Sequence, residues 1–446
     1  MTESLPSAKG ETIFALASAP GRAGVAVIRI SGPAAAPAAA RLGASGLKPR
    51  EMALVSFRAP VDRALLDRGL AVLFPGPASF TGEDVVELHL HGGSAVLDGI
   101  FRALEACPGL RPADPGEFSR RAFLNGKMDL AEAEGLADLI DAETAAQRAQ
   151  ALRQMGGGIG AVLDPLRDEL IHALAMLEAW IDFPDEEIPQ DLLQQTADEL
   201  AALVVRLAGL EQESTRGERL RDGLSMAIVG PPNAGKSSLL NALANRDVAI
   251  VSETAGTTRD VLEVSLDLNG YPVTLWDTAG LRETADSVER EGVRRALDRA
   301  RAADLVIHMA VAGTAFDGDL PGRDGARDLR VASKTDLGGA VPEGWIGVSV
   351  KTEAGLAPLL ARLTEEADRM MGLGEAPSLT RARHRHAVSA ARAALERAQG
   401  GLADAQPLEL VAEDLRHAAQ AIGRITGRVD VDDLLDVIFS SFCLGK

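Results

Sequence analysis

The hydrophobic positions change their period at three places along this chain. Over residues 1 to about 120, short β-branched or alternating segments at 25–30, 71–74 and 85–90 stand between turn residues, which predicts an α+β domain. The low-complexity stretch at 32–40 begins a helix. From about 121 the spacing is helical: Leu136, Leu139 and Ile140, then Leu200, Leu203, Val204, Leu207 and Leu210. Three consecutive glycines at 156–158 break this helical run, and the acidic, proline-punctuated residues 182–191 read as a solvated connection. Residues 222–375 alternate again, with strands near 225–230, 262–268, 272–276, 304–310 and 329–332, the pattern of a doubly wound α/β sheet. After Pro377 helical spacing returns through Leu408, Val411, Leu415 and Ile422, then Val431, Leu434, Leu435 and Ile438. The simplest architecture inserts the alternating segment into a helical domain built from both flanks; an independent helical tail is the alternative. The expected segments are 1–120, 121–217, 218–376 and 377–446.

A chain of 446 residues has room for about three domains. Its 46% hydrophobic and 25% charged residues exclude wholesale disorder. The net charge of −19 excludes a broad basic face, so any RNA must be held by a local patch or a more basic partner. Two cysteines, Cys107 and Cys443, cannot build a disulfide framework. No apolar run reaches membrane-spanning length and no basic-then-apolar leader opens the chain, so a cytoplasmic protein without membrane contact is expected.

The densest chemistry lies in GPPNAGKSS (230–238), which follows an apolar strand and opens a helix. That context makes it a phosphate-binding loop: Asn233, Ala234, Gly235, Lys236, Ser237 and Ser238 would surround a polyphosphate, Lys236 adding charge and Ser237 holding Mg²⁺. Asp277, Thr278, Ala279 and Gly280 follow a second apolar strand, with Asp277 as the carboxylate behind Mg²⁺ and Gly280 near the γ-phosphate. Between them, Thr258 of the Thr257-Thr258 pair would complete the Mg²⁺ shell. Ser333, Lys334, Thr335 and Asp336 supply base choice. Asp336 accepts from the guanine edge and Lys334 packs along the ring, although Ser333 stands where GTPases usually carry Asn. Ser349, Val350 and Lys351 form a further base-contacting loop. GTP and GDP are therefore the expected ligands.

Two absences shape the mechanism. Leu281 occupies the place where Ras-like proteins position water with glutamine, so Glu289 is the candidate for that role beside a solvated-carboxylate reading. No arginine finger stands out, Arg282 reading equally as surface charge, and a monovalent cation beside Asn233 is the substitute. His384 and His386, in a run with Arg381, Arg383 and Arg385, read as a solvated helix face and as the best local contact for RNA.

Taken together, these residues resemble the MnmE (TrmE) family of potassium-dependent tRNA-modification GTPases. The likeness extends to ETIFALA (11–17), PGRAGVAVIRISG (20–32), SFTGED (79–84), HGG (91–93), PGEFSRRAFLNGKMDL (115–130) and FCLGK (442–446). It implies a Ras-like G domain inserted in a helical domain and preceded by an α+β domain that dimerises and binds 5-formyl-tetrahydrofolate or a related one-carbon donor. By the resemblance, Asn233, Ser252, Thr254 and Thr257 surround K⁺, Ser237 and Thr258 hold Mg²⁺, and Glu253, Ala255 and Gly256 line the nucleotide. Glu289 and Lys236 are the catalytic pair it implies. Arg29, Glu87, Lys127 and Lys446 match its folate-contacting positions, with Arg29 and Lys127 suited to glutamate-tail carboxylates and Glu87 to a pterin's donor edge. Read without the resemblance, those charges form surface salt bridges. Cys443 is by spacing a small buried thiol; the resemblance puts it near the folate.

The implied activity is GTP hydrolysis coupled, through an MnmG (GidA)-like FAD partner, to aminomethyl or carboxymethylaminomethyl addition at the wobble uridine of tRNA. A ribosome-assembly GTPase of the Era or Der type shares the GKSS and GTTRD motifs, but would need a Gly-x-x-Gly loop between strands where this C-terminal flank is helical.

Overall fold

The computed structural model describes residues 10–182, 190–246, 248–250, 263–277, 298–315, 328–372, 379–429, 431, 435, 438–440, 442 and 445. Contacts divide the chain into two units, Met1–Ala137 with Thr426–Lys446, and Asp138–Ile425. No helix among the described residues is long and apolar enough to cross a membrane.

In the first unit the predicted strands are β2 (Ala23–Ser31), β4 (Leu65–Phe74) and β5 (Val85–Gly92). They are joined by β1 (Thr12–Leu16), β3 (Ala53–Arg58) and β6 (Leu110–Pro112), which the periodicity did not single out. The sheet order is β3-β4-β5-β2-β1-β6, antiparallel except for the β1–β6 pair. Strand alternation buries Phe14, Ile28, Ile30, Phe57 and Leu88 in one apolar cluster with residues of α1 (Ala35–Arg41) and α2 (Ser94–Glu105). Leu54 and its cross-strand partner Leu70 remain exposed, Leu54 by 80%.

Helix α3 (Glu117–Leu124) follows a left-handed glycine. Gly116 has φ +66°, and a Cβ there would strike the Phe439 carbonyl, so only glycine admits the C-terminal segment. That segment brings Leu435, Phe439 and Phe442 into a cluster with Leu130 and Ala133 of α4 (Leu130–Asp141). By their contacts, residues 426–446 group with the first unit, and aromatic packing of Phe439 and Phe442 contributes to that.

The second unit contains α5 (Ala145–Met155), started by a Thr144–Gln147 capping box, then α6 (Gly158–Asp182) and α7 (Gln190–Asp222). The predicted glycine break falls between α5 and α6, where Gly157 takes φ +80°. The acidic connection lies outside the described residues apart from its ends. Beyond the sheet come α9 (Leu356–Met371), α10 (Ala382–Ala403) and α11 (Leu408–Thr426), α8 being the phosphate-loop helix below. Helix α10 packs along α7 through Arg385–Glu218 at 2.9 Å and Arg392–Glu211 at 3.0 Å. The two flanks of the alternating segment are therefore one helical body, and an independent tail is excluded.

The inserted segment forms β7 (Leu224–Val229), β8 (Glu263–Leu268), β9 (Tyr271–Asp277), β10 (Leu305–Val311), β11 (Leu329–Ser333) and β12 (Ile346–Val348). Their order is β12-β11-β10-β7-β9-β8, all parallel except the β8–β9 hairpin. Buried Met226, Ile228, Leu275, Ile307 and Val331 fill its core. Such strands, covered on both faces, read as continuous apolar runs, which is why the sequence located them well.

One sequence reading fails. The Arg-rich run is not a solvated face: Arg381 binds Asp138 at 2.7 Å, Arg385 binds Glu218, and Arg383 donates to the Arg424 and Ile425 carbonyls. His384 is fully buried. These cations are engaged in helix–helix pairing and capping, while His386 stays exposed.

Candidate functional site

Strand order reverses at β7, whose neighbours are β9 and β10, so the crevice beyond its C-terminal end is a switch point where α/β sheets bind ligands. The loop at 230–235 occupies that crevice and leads into α8 (Lys236–Ala244). Gly230 permits close approach, since a Cβ would collide with the Met309 carbonyl, and Gly235 at φ +94° is the left-handed entry to the helix. Asn233 is also left-handed, at φ +61°, and its side chain is exposed at the loop tip.

Lys236 is buried and donates to the carbonyl oxygens of Gly230 at 2.6 Å and Pro231 at 2.9 Å. Burial pushes its ammonium below the usual range, with Asp277 opposing the shift. Ser237 Oγ donates to Asp277 Oδ2 at 2.5 Å, linking α8 to the end of β9. One hydroxyl and one carboxylate are the hard oxygen donors Mg²⁺ takes when phosphates complete its shell. Among the described residues no group of three or more His, Cys, Asp or Glu could hold a metal by itself.

The base-recognition residues lie on the next strands outward. Ser333, at the end of β11 and nearly fully buried, places its hydroxyl 2.6 Å from the Ala234 carbonyl and 3.1 Å from that of Ala310. It thus ties this loop to the phosphate loop, the task the expected Asn would otherwise share. Lys334 is left-handed at φ +54°, and its stem passes Gly235, within ordinary contact of the Cβ an alanine would carry there. Ser349 Oγ donates to Asp336 Oδ1 at 2.8 Å, fixing the carboxylate that would read the base, and Thr335 starts the same short 3₁₀ turn. Ser238 lies in the first turn of α8, Val350 packs against the sheet's apolar core, and Lys351 is exposed. Ser252, Glu253, Thr254, Ala255, Gly256, Thr257, Thr258, Thr278, Ala279, Gly280 and Glu289 lie outside the described residues.

In the first unit, Arg29 and Glu87 face each other across β2 and β5 and pair at 2.9 Å. Both Arg29 bonds go to Glu87 Oε1, while the guanidinium lies over the Phe80 ring at 5.1 Å and the Phe118 ring at 5.8 Å. Glu87 Oε2 is 3.6 Å from His89 Nε2. Arg29 and Glu87 thus form the salt bridge expected of them without the resemblance, and the structure adds Phe80 and Phe118, which lie within the SFTGED and PGEFSRRAFLNGKMDL segments, and His89, which the sequence did not single out. Lys127 is exposed and lies beside Gly82 in the adjoining loop. Cys443 and Lys446 are outside the described residues. Below this face, nearly fully buried Arg121 binds Glu117 at 2.9 Å and Glu83 at 3.0 Å. Burial would raise the Glu117 carboxyl, but bonds from Arg111, the Asp114 N–H and Arg121 hold it below the usual carboxylate range.

Residues 12–127 match the family described as GTP-binding protein TrmE N-terminus, and residues 130–443 match the MnmE helical domain. A tRNA modification GTPase MnmE of Parvibaculum lavamentivorans is 58% identical over 98% of this chain and all of its own length. The Rhodospirillum rubrum protein of that name is 51% identical over 98% of this chain and 99% of its own. A solved G domain of the T. maritima FeoB iron transporter is 23% identical, covering 32% of this chain and 98% of its own, at a TM-score of 0.24 that adds nothing to the topology above. By its relatives and both domain matches, the chain belongs to the tRNA modification GTPase MnmE family.

Proposed function

We propose that this chain is a potassium-dependent GTP hydrolase that acts in tRNA modification. With an MnmG (GidA)-like FAD protein, it forms 5-carboxymethylaminomethyl or 5-aminomethyl uridine at the wobble position. The observation that carries the nucleotide part is the phosphate loop at the switch point, with Ser237 Oγ on Asp277. In this reading Lys236 would exchange its two carbonyl partners for phosphate oxygens, and Ser237, with Asp277 behind it, would hold Mg²⁺, which would neutralise charge on the phosphates. Asp336, steadied by Ser349, selects guanine. Exposed Asn233, with Ser252, Thr254 and Thr257, would hold K⁺; Thr258 would complete the Mg²⁺ shell, and Glu289 would orient water.

The first unit is the place for 5-formyl-tetrahydrofolate. Glu87 turns one oxygen to Arg29, leaving the other edge of its carboxylate to meet a pterin N–H, while Lys127 and Lys446 suit the glutamate tail. The exposed Leu54–Leu70 pair supports a homodimer through this sheet, because an apolar pair at that exposure gains by being covered. The net charge of −19 supports tRNA being held chiefly by the flavin partner. The helical C-terminal flank gives the Era or Der alternative no support.

GTP hydrolysis in K⁺ against Na⁺ tests the cation assignment. K⁺ stimulation should vanish in Asn233→Ala while fluorescent GDP still binds. Wild-type hydrolysis indifferent to K⁺, or an Asn233→Ala protein with the full response, would refute it.

A further inference from the structure

The inserted nucleotide domain joins the helical body by two chain connections, and one side chain holds both. Arg221, in the last turn of α7 and three residues before Leu224 opens β7, donates Nε to Asp138 Oδ1 at 2.9 Å. Arg381, which caps the start of α10 just after the domain's exit, donates to the same oxygen at 2.7 Å. The two arginines are far apart in sequence; they meet only because the domain between them leaves and returns at one point. Neighbouring residues tighten the junction. Gln147 donates to the Arg221 carbonyl at 3.0 Å, Gln150 to that of Gly217 at 3.2 Å, and buried Thr380 donates to Gln154 at 2.8 Å.

The junction also touches the nucleotide sheet. Ala146, at the start of α5, stands against the Asn269–Gly270 turn of the β8–β9 hairpin, and Ala146 packs on the sheet's apolar core. From that turn β9 runs straight to Asp277, and from Gly223 β7 runs straight to the phosphate loop. The two strands pair with each other from Leu224 with Val273 to Ile228 with Asp277, so one continuous ladder joins the junction end of the sheet to the phosphate-loop end. Movement of Asp277 toward a metal, or of the phosphate loop around a nucleotide, is therefore delivered to the clamp at the opposite end of the sheet.

We infer that Asp138 is the carboxylate that couples the nucleotide state of the inserted domain to the helical body, a positioning residue remote from the reacting phosphates. Arg221 keeps a second anion, Asp222 at 2.9 Å, so what Asp138 alone supplies is one oxygen shared by both connections. With the amide in its place that shared charge is gone, and the bond that ties Arg221 to Arg381 weakens.

This inference rests on the chain binding guanine nucleotide, and its test separates the two. Hydrogen exchange would be followed by mass spectrometry on the full chain, with and without GDP·Mg²⁺ and a non-hydrolysable GTP analogue. In wild type, nucleotide slows exchange in β7 and α8 and also in α5 and the first turn of α10. In Asp138→Asn the slowing in β7 and α8 persists, while that in α5 and α10 falls about tenfold, within the usual range of coupling between sites. Arg381→Gln repeats the test through the other partner should Asp138→Asn fail to fold. Protection of α5 and α10 that survives in the variant, or that nucleotide never induces in wild type, overturns the inference. Absence of protection in β7 and α8 of wild type would instead strike the nucleotide reading.

Discussion

Replacing Ser333 by alanine removes a hydroxyl that is nearly fully buried and lies 2.6 Å from the Ala234 carbonyl and 3.1 Å from the Ala310 carbonyl. Alanine fills the same space apart from that oxygen, so packing changes little and the missing donor dominates. A buried acceptor left without its partner costs about 1–3 kcal/mol. Where the loss falls follows from the position of Ala234. It lies between left-handed Asn233 and Gly235, inside the loop whose N–H groups must converge on phosphate, so loosening it lowers nucleotide affinity. The expected weakening of GDP binding is roughly 5- to 150-fold, at about 1.4 kcal/mol per tenfold. Titration with fluorescent GDP measures the affinity, and urea unfolding of nucleotide-free protein measures what is lost from the fold. Ser333→Thr, which keeps a hydroxyl, should stay near wild type. Wild-type GDP affinity and urea midpoint in Ser333→Ala would refute the idea that this serine ties the two loops together.

Other expectations follow from the same geometry. Asp336→Asn should weaken GTP binding and gain xanthosine triphosphate, whose 2-oxo group accepts from the new amide; competition binding reads the exchange, and unchanged guanine preference would count against the assignment. Burial lowers the folded-state pKa of Lys236 from its ordinary 10.5, so the nucleotide-free protein gains stability as pH rises through that window. Phosphates favour the ammonium, so GDP binding at alkaline pH should take up a proton, seen by calorimetry in buffers of different ionisation heat and absent in Lys236→Ala. Glu117 and Asp67 have depressed pKa values, so the stability they contribute is present above the usual carboxylate range and lost as pH falls through their folded values. Arg121→Met should raise the pH of acid unfolding and cost about 3–5 kcal/mol in urea, because Glu117 and Glu83 lose the cation between them.

What the sequence revealed and what it hid divide along physical lines. The strands expected near 225–230, 304–310 and 329–332 appear as Leu224–Val229, Leu305–Val311 and Leu329–Ser333, because strands buried on both faces leave unbroken apolar runs. The phosphate loop was legible because its glycines and lysine must occur at fixed spacing. Strands β3 and β6 escaped notice: β3 mixes exposed Leu54 with buried Val55, and β6 is three residues long. Long-range charge pairing was hidden altogether. The arginines at 381, 383 and 385 look solvated in one dimension, and nothing local announces that Asp138 and Glu218 await them. Nor does spacing show that Arg29 and Glu87 bind each other, since a cross-strand register depends on the whole sheet.

The central claim is that a working nucleotide site serves tRNA modification, and nucleoside mass spectrometry tests it most directly. tRNA would be digested from cells lacking the protein and from the same cells complemented with wild type or Lys236→Ala. The account predicts loss of the C5-aminomethyl-type uridines, restored by wild type and not by Lys236→Ala. An unchanged nucleoside profile in the deletion strain, with no second enzyme of the kind present, would contradict it.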